Sequence, residues 1–255
     1  MSDAAPPRDE PLVRRHDEDG IAVITLDSPA NRNALSRRLI AELVDAIGEA
    51  GGDEELHGIL LRSSHRVFCA GADLREALAG DMVEGARRIV ELQRRIASVP
   101  VPVVVRLDGP VRAGGLGIVG SADLVVCAAT VSFALTEVKL GLAAATIAIP
   151  LRLRLAPRAA SDWFLTGRTF SAEEARDGGL VTSIVAPEDM DDAVEAVLAE
   201  LRTSTRQGLA EGKALLTAGL IAALDEHGEE MARLSGLLFG SDVAREKMSA
   251  FLTRP

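Results

Sequence analysis

The chain has only two cysteines, four histidines and no long apolar run, and each shortage removes a class of function. Cys69 and Cys127 do not form a Cys-x-x-Cys pair, and His16, His57, His65 and His227 are too scattered for metal-ligand spacing. No disulfide framework and no metal site follow from such a set. The two thiols read as small core residues of a protein from a reducing, cytoplasmic compartment. Cations are also in deficit, with 28 Lys and Arg against 38 Asp and Glu for a net charge of -10. That balance excludes a broad nucleic-acid surface, because phosphate contacts need clustered Lys and Arg, so any anionic ligand must be met locally. The longest apolar stretches, 118–126 and 142–151, are too short or too broken by Asp123 and Pro150 to cross a bilayer. Residues 1–11 are polar and rich in Pro, Asp and Arg, which predicts a disordered tail and not a signal peptide. No Gly-x-Ser-x-Gly elbow occurs, and His65 beside Ser63 and Ser64 reads as loop chemistry.

What is present is an apolar fraction of 47% over 255 residues, enough for a large core in one domain or one domain with an appendage. Residues 21–26 read as a strand running into the turn Asp27-Ser28-Pro29. Ser36 is a good N-cap for a helix whose apolar face is Leu39, Ile40, Leu43, Val44 and Ile47, ending at the glycines 48, 51 and 52. A buried strand at 58–62, a polar loop at 63–73 and an amphipathic helix at about 81–98 follow. The pattern then predicts a strand at 101–107, a glycine-rich turn into a small-residue helix at 114–122, and strands at 124–127 and 131–134. From Ser161 onward the chain reads as mainly helical, with a capping box at Ser171-Ala-Glu-Glu174, a short strand at 180–185, and helices at 187–202 and from 207 to the end. Recurrence at roughly forty residues favours repeated strand-strand-helix units over a doubly wound sheet.

Five segments in a fixed order now carry a likeness: Asn31-Arg-Asn-Ala-Leu-Ser36, Phe68-Cys-Ala-Gly-Ala-Asp-Leu74, the glycine-rich run 108–123, Leu165-Thr-Gly167 with 172–181, and Phe239-Gly-Ser-Asp242 through Ala250-Phe-Leu252. Together they resemble the crotonase superfamily, also called the enoyl-CoA hydratase/isomerase family. The resemblance implies an α/β fold: a spiral of strand-strand-helix (ββα) repeats over 12–195, then a helical C-terminal trimerisation region over 196–255. It implies an acyl-CoA substrate with coenzyme A as its carrier part, no other cofactor, and a homotrimer or a hexamer built as a dimer of trimers. It also implies an oxyanion hole formed by the backbone N–H groups of Ala72 and Gly114. A thioester carbonyl gains negative charge as its α-carbon becomes enolate-like, and preorganised donors stabilise that charge. Arg32, Ala34 and the loop Ala70 to Leu74, including Asp73, fall where the family holds the adenine and pantetheine parts, and Gly115 and Gly117 lie on the substrate side of the glycine-rich run. Phe251 and Arg254 match C-terminal residues that reach a neighbouring subunit's nucleotide.

In the hydratases that this chain resembles, two glutamates clamp the water that adds across the double bond. The second matches Glu137, preceded by Thr136 where the family usually has proline, and the first matches Gly117. A lost acid or base typically removes about 10²–10⁴-fold of rate, so the pattern favours double-bond isomerisation by Glu137 alone over efficient hydration. Asp73, Glu76, Asp81 and Glu84 are candidates for a substitute second acid. A thioester hydrolase or decarboxylase using the same hole, and a weakly catalytic acyl-CoA-binding protein, stay open beside it. Ala145 stands near the position of the aspartate used by the family's dehalogenases, which counts against that chemistry.

Overall fold

The computed structural model describes residues 10–80 and 82–253. Arg254, Asp81 and most of the expected tail therefore lie outside the described residues. Strands β1 (Val13–Glu18) and β2 (Ile21–Leu26) form an antiparallel hairpin in which Glu18 pairs with Ile21. Asp19 and Gly20 both have positive φ, 48° and 75°, the backbone that a tight primed hairpin turn requires. Behind β2, helix α1 (Arg37–Gly52) starts where the Ser36 hydroxyl accepts the Leu39 N–H, and it buries the apolar face expected from its spacing.

Strand β3 (Gly58–Ser63) pairs in parallel with β2, and β4 (Val103–Leu107) pairs in parallel with β3. Between them lie α2 (Leu74–Ala79) and α3 (Met82–Ser98). After β4 come β5 (Val111–Arg112), α4 (Gly115–Ser121), β6 (Leu124–Ala128) and β7 (Ser132–Ala134). Helices α5 (Ala145–Arg154) and α6 (Pro157–Thr166), strand β8 (Thr169–Ser171), α7 (Ala172–Asp177) and β9 (Ser183–Val185) complete the spiral. The capping box at Ser171 and Glu174 is formed as the sequence predicts.

The strands sort into two sheets, a six-stranded one ordered β1-β2-β3-β4-β6-β9 and a three-stranded one ordered β5-β7-β8. In each of the repeats β4-β5-α4 and β6-β7-α5 the first strand joins the large sheet and the second joins the small one, so the chain advances one strand in both sheets per turn of the spiral. The preceding repeat has only a single bridge, Cys69 to Val111, in place of its second strand. That bridge lays the irregular 63–73 loop directly alongside β5. The central strands carry almost wholly buried Val, Ile and Leu, as sheets covered on both faces do.

Helices α8 (Met190–Thr203), α9 (Arg206–Phe239) and α10 (Asp242–Leu252) form the C-terminal part, and the boundary expected at 195/196 falls inside α8. Lys213 anchors α9 to the spiral. Its buried Nζ donates to the carbonyls of Ile96 (2.7 Å) and Val101 (3.0 Å) and pairs with Asp123 at 2.7 Å. Asp123 in turn accepts the Val103 N–H at 2.7 Å, so one carboxylate ties α9 to the start of β4. Among the described residues no helix is long and apolar enough to cross a membrane.

Candidate active site

One side chain holds the 28–36 segment to the 63–73 loop, and the backbone bonds Phe68 N–H to Pro110 O (3.1 Å) and Arg112 N–H to Cys69 O (2.9 Å) hold that loop to the 109–115 turn. Asn33 is fully buried, accepts the Ser28 N–H at 2.7 Å, and donates from Nδ2 to Ser63 Oγ (2.8 Å), Val67 O (3.1 Å) and Phe68 O (3.2 Å). The Ala70 N–H then donates to Arg32 O at 3.1 Å, and Leu35 N–H to Gly71 O at 2.7 Å. Arg32, Asn33 and Ala113 all have positive φ, between 47° and 57°, a conformation that non-glycine residues hold only where surrounding contacts enforce it. At Gly71, whose φ is +93°, an added Cβ would lie 3.4 Å from Gly114 N and 2.7 Å from Ala113 Cβ. An added Cβ at Gly114 would lie 3.6 Å from Ala72 N. The two main-chain segments are thus in contact, and neither the Ala72 nor the Gly114 N–H donates to another group among the described residues.

These segments form one wall of a cleft of about 580 Å³, which Arg32, Ala70, Ala72, Leu74 and Gly114 all line. The opposite wall comes from the 3-10 turn Thr136–Leu140 and the start of α5, and α3, α9 and α10 close the remainder. A stack of three rings joins α6, β8 and β7: Trp163 lies on Phe170 at 3.8 Å between ring centroids, and Phe170 on Phe133 at 5.4 Å. Phe133 lies on β7, whose end at Ala134 is followed after one residue by the 3-10 turn, so the stack anchors the strand that leads into it.

Glu137 borders the cleft, and among the described residues it is the only acid that does. Part of its surface meets the cleft, yet its Oε2 is buried and has no hydrogen-bond partner. Burial pushes its pKa up to about 7, with its own backbone N–H opposing the rise. The carboxyl group is therefore poised to hold or release a proton near neutrality. Cations gather on the same cleft despite the acidic total: Arg32, Lys139 and Lys247 are exposed at its lining, and among the described residues only Lys247 of these has an acidic neighbour, Glu246 at 3.9 Å. Arg112 is different. It spends its guanidinium on Val111 O and on the carbonyl and hydroxyl of Ser132, tying β5 to β7.

Several residues assigned by the resemblance lie elsewhere. Ala34 is buried under the 28–36 turn and does not line the cleft. Asp73 caps α2, accepting the Arg75 and Glu76 N–H groups. Gly115 serves packing, since an added Cβ would lie 2.8 Å from Cys69 Cβ. At Gly117 an added Cβ would lie 2.6 Å from Ile147 Cγ2 and 2.8 Å from Gln93 Nε2, so the place of the first acid is filled by other side chains. Phe251 lines the cleft of its own chain, where the resemblance points it at a neighbour's nucleotide.

The candidate substitute acids are committed as well: Glu76 accepts the Arg37 N–H at 2.9 Å and Glu84 pairs with Arg87 and Arg88. Ser64 and His65 both bind Asp27, at 2.6 and 2.8 Å, and not each other, so no serine triad forms there. Cys69 and Cys127 are fully buried, and burial pushes both thiols up to about 12, which leaves them unreactive at neutral pH. Asn33 and Gln93 are the residues that sequence reasoning misses. The first looks like one more polar turn residue, and the second like one polar position on an amphipathic helix.

A family model described as "Enoyl-CoA hydratase/isomerase" matches residues 16–254. A crystal structure of an enoyl-CoA hydratase from Mycobacterium avium superposes with a TM-score of 0.89 at 39% identity, covering 95% of this chain and 96% of that one. One from Mycobacterium smegmatis gives a TM-score of 0.79 at 30% identity with the same coverage. In sequence, the chain is 28% identical over 251 residues to a 1,2-epoxyphenylacetyl-CoA isomerase of Escherichia coli, covering 95% of this chain and 96% of the relative. With its spiral of two sheets, its helical C-terminal part and this match along nearly the whole sequence, the chain belongs to the enoyl-CoA hydratase/isomerase family.

Proposed function

We propose that the protein shifts the double bond of an enoyl-CoA, with Glu137 as its only acid-base group and the Ala72 and Gly114 N–H groups stabilising the thioester enolate. The observation that carries this reading is Glu137 itself: the one acid on the cleft among the described residues, with its pKa pushed up to about 7. Ordinary glutamates are over 99% ionised at neutral pH and are weak bases; one with a pKa near the working pH can take a proton from one carbon and return it to another. The two amides are unspent, adjacent and on the same cleft, as a hole for a developing oxyanion requires. Their stabilisation of the enolate is a matter of several kcal/mol.

Hydration needs a second group to position and activate water. Position 117 has no side chain and no room for one, and Asp73, Glu76 and Glu84 are all turned to other partners. Arg32, Lys139 and Lys247 supply the local positive charge that coenzyme A phosphates need in an acidic protein. The exposed Leu215, Leu216 and Leu237 on α9 and Leu165 on α6 support a homotrimer or hexamer, in which copies of the chain would cover them.

Glu137→Gln tests the reading. The variant abolishes turnover of a 3-enoyl-CoA and keeps acyl-CoA affinity within several-fold, measured by calorimetry. Full activity in this variant would make Glu137 a structural residue and end the proposal.

A further inference from the structure

The acyl side of the cleft is mostly apolar, with Met82, Ala86 and Ile89 from α3, Ile147 from α5 and Phe239 from α9. Two hydroxyls interrupt it. Ser235 on α9 is 7% exposed and Thr146 on α5 is 6% exposed, both line the cleft, and neither hydroxyl makes a hydrogen bond to the described residues. Other helical hydroxyls in this protein do otherwise. Ser121, Ser161, Thr166 and Thr217 each donate to the carbonyl four residues back, at 2.8, 3.0, 2.7 and 2.9 Å. That local bond is the usual refuge of a serine or threonine inside a helix. Ser235, well inside α9, does not use the corresponding Met231 carbonyl, and faces the cleft instead.

A third unpaired group lies behind this wall, next to Ile147 and outside the cleft lining. Gln93, one turn beyond Ile89 on α3, is 1% exposed with neither amide atom hydrogen-bonded. The two hydroxyls are the polar groups that the cleft itself presents on this wall, and a chain that displaces solvent from them without offering a hydrogen bond leaves both unpaired.

We infer that this acyl site takes thioesters whose chain carries an oxygen function, a hydroxyl or a carbonyl, beyond the reacting carbons, with Ser235 and Thr146 as the residues that select it. A plain hydrocarbon would leave both hydroxyls against apolar atoms with no partner. A hydroxylated chain gives each a donor or acceptor and keeps its remaining carbons on the apolar wall. The inference rests on the reading of the cleft as an acyl-thioester site, but not on which reaction occurs there.

The test compares a medium-length straight-chain 3-enoyl-CoA with isomers in which one hydroxyl is moved along the chain beyond the double bond. The corresponding saturated acyl-CoAs, which cannot react, give dissociation constants with the wild-type protein. At least one hydroxylated member should be preferred by about tenfold in both kcat/KM and Kd, the worth of one hydrogen bond. Ser235→Ala, which removes a single oxygen, and the double variant with Thr146→Val should bring that preference down towards unity. A wild-type preference for the plain chain over every hydroxylated one, or a preference that survives in both variants, overturns the inference. If no member is turned over while the Kd preference appears and is lost in the variants, the inference holds and the isomerase reading falls.

Discussion

Gln93 occupies the space that a side chain on Gly117 would need: its Nε2 stands 2.8 Å from where a Cβ at 117 would be, and Ile147 Cγ2 stands 2.6 Å away on another side. A missing carboxylate is thus not an empty place but a rebuilt one. Gly117→Glu should not create a hydratase. It should lower stability by about 1–3 kcal/mol through overpacking, read from urea unfolding. Combining it with Ile147→Ala and Gln93→Ala should recover part of that loss, because the two changes remove the atoms in the way. A single Gly117→Glu that is as stable as the wild type and hydrates crotonyl-CoA rapidly would refute the packing argument.

The raised pKa of Glu137 has a consequence for stability as well as rate. Burial favours its neutral form, so its contribution to the folded state is fully present below the ordinary value of 4.5 and is lost as pH rises through about 7. Glu137→Gln stays neutral throughout. The variant should therefore be more stable than the wild type at about pH 8, by up to about 3 kcal/mol at roughly 1.4 kcal/mol per pKa unit, and no more stable near pH 4. Tm measured across this range checks the sign. The wild-type kcat/KM should rise with pH and level off above about 7, as the free base forms. A Tm difference that is flat with pH would mean that Glu137 titrates normally.

Lys213 and Asp123 make a second, purely structural test. Burial lowers the Lys213 pKa and Asp123 opposes the fall, while Nζ donates to two carbonyls and pairs with that carboxylate. Lys213→Met should cost about 3–5 kcal/mol, since it strands a largely buried carboxylate. Lys213→Met with Asp123→Asn should cost less than the single change, because the amide oxygen can still accept the Val103 N–H. Chemical denaturation of the three variants measures the coupling, and a Lys213→Met loss below about 0.5 kcal/mol would show the pair to be dispensable.

Much of the frame was legible because its elements carry one-dimensional periodicity. The face of α1, the Ser36 cap, the buried run of β3 and the Ser171 capping box are local patterns, and they fold as they read. The charged strand β1 was not legible by alternation, since only Val13 of its residues is buried; the Asp19-Gly20 turn that pairs it with β2 was the available signal. Helix α5 is covered on several sides by α4 and α9 and has no clear polar face, so it reads as a bare apolar run. At the site, Glu137 and the two backbone segments were placed by their motifs. The filling of position 117 was not, because it depends on Gln93 and Ile147, distant in sequence and brought together only by packing of α3 and α5 on α4. The same holds for Asn33, whose partners lie across the fold.

The most direct measurement is the ratio of two activities of the purified wild-type protein, the movement of a 3-enoyl-CoA double bond and the hydration of crotonyl-CoA. One carboxylate on the cleft predicts that isomerisation is the faster by about 10²-fold or more, the usual worth of a positioned second acid or base. Rapid hydration at a comparable rate would contradict the account.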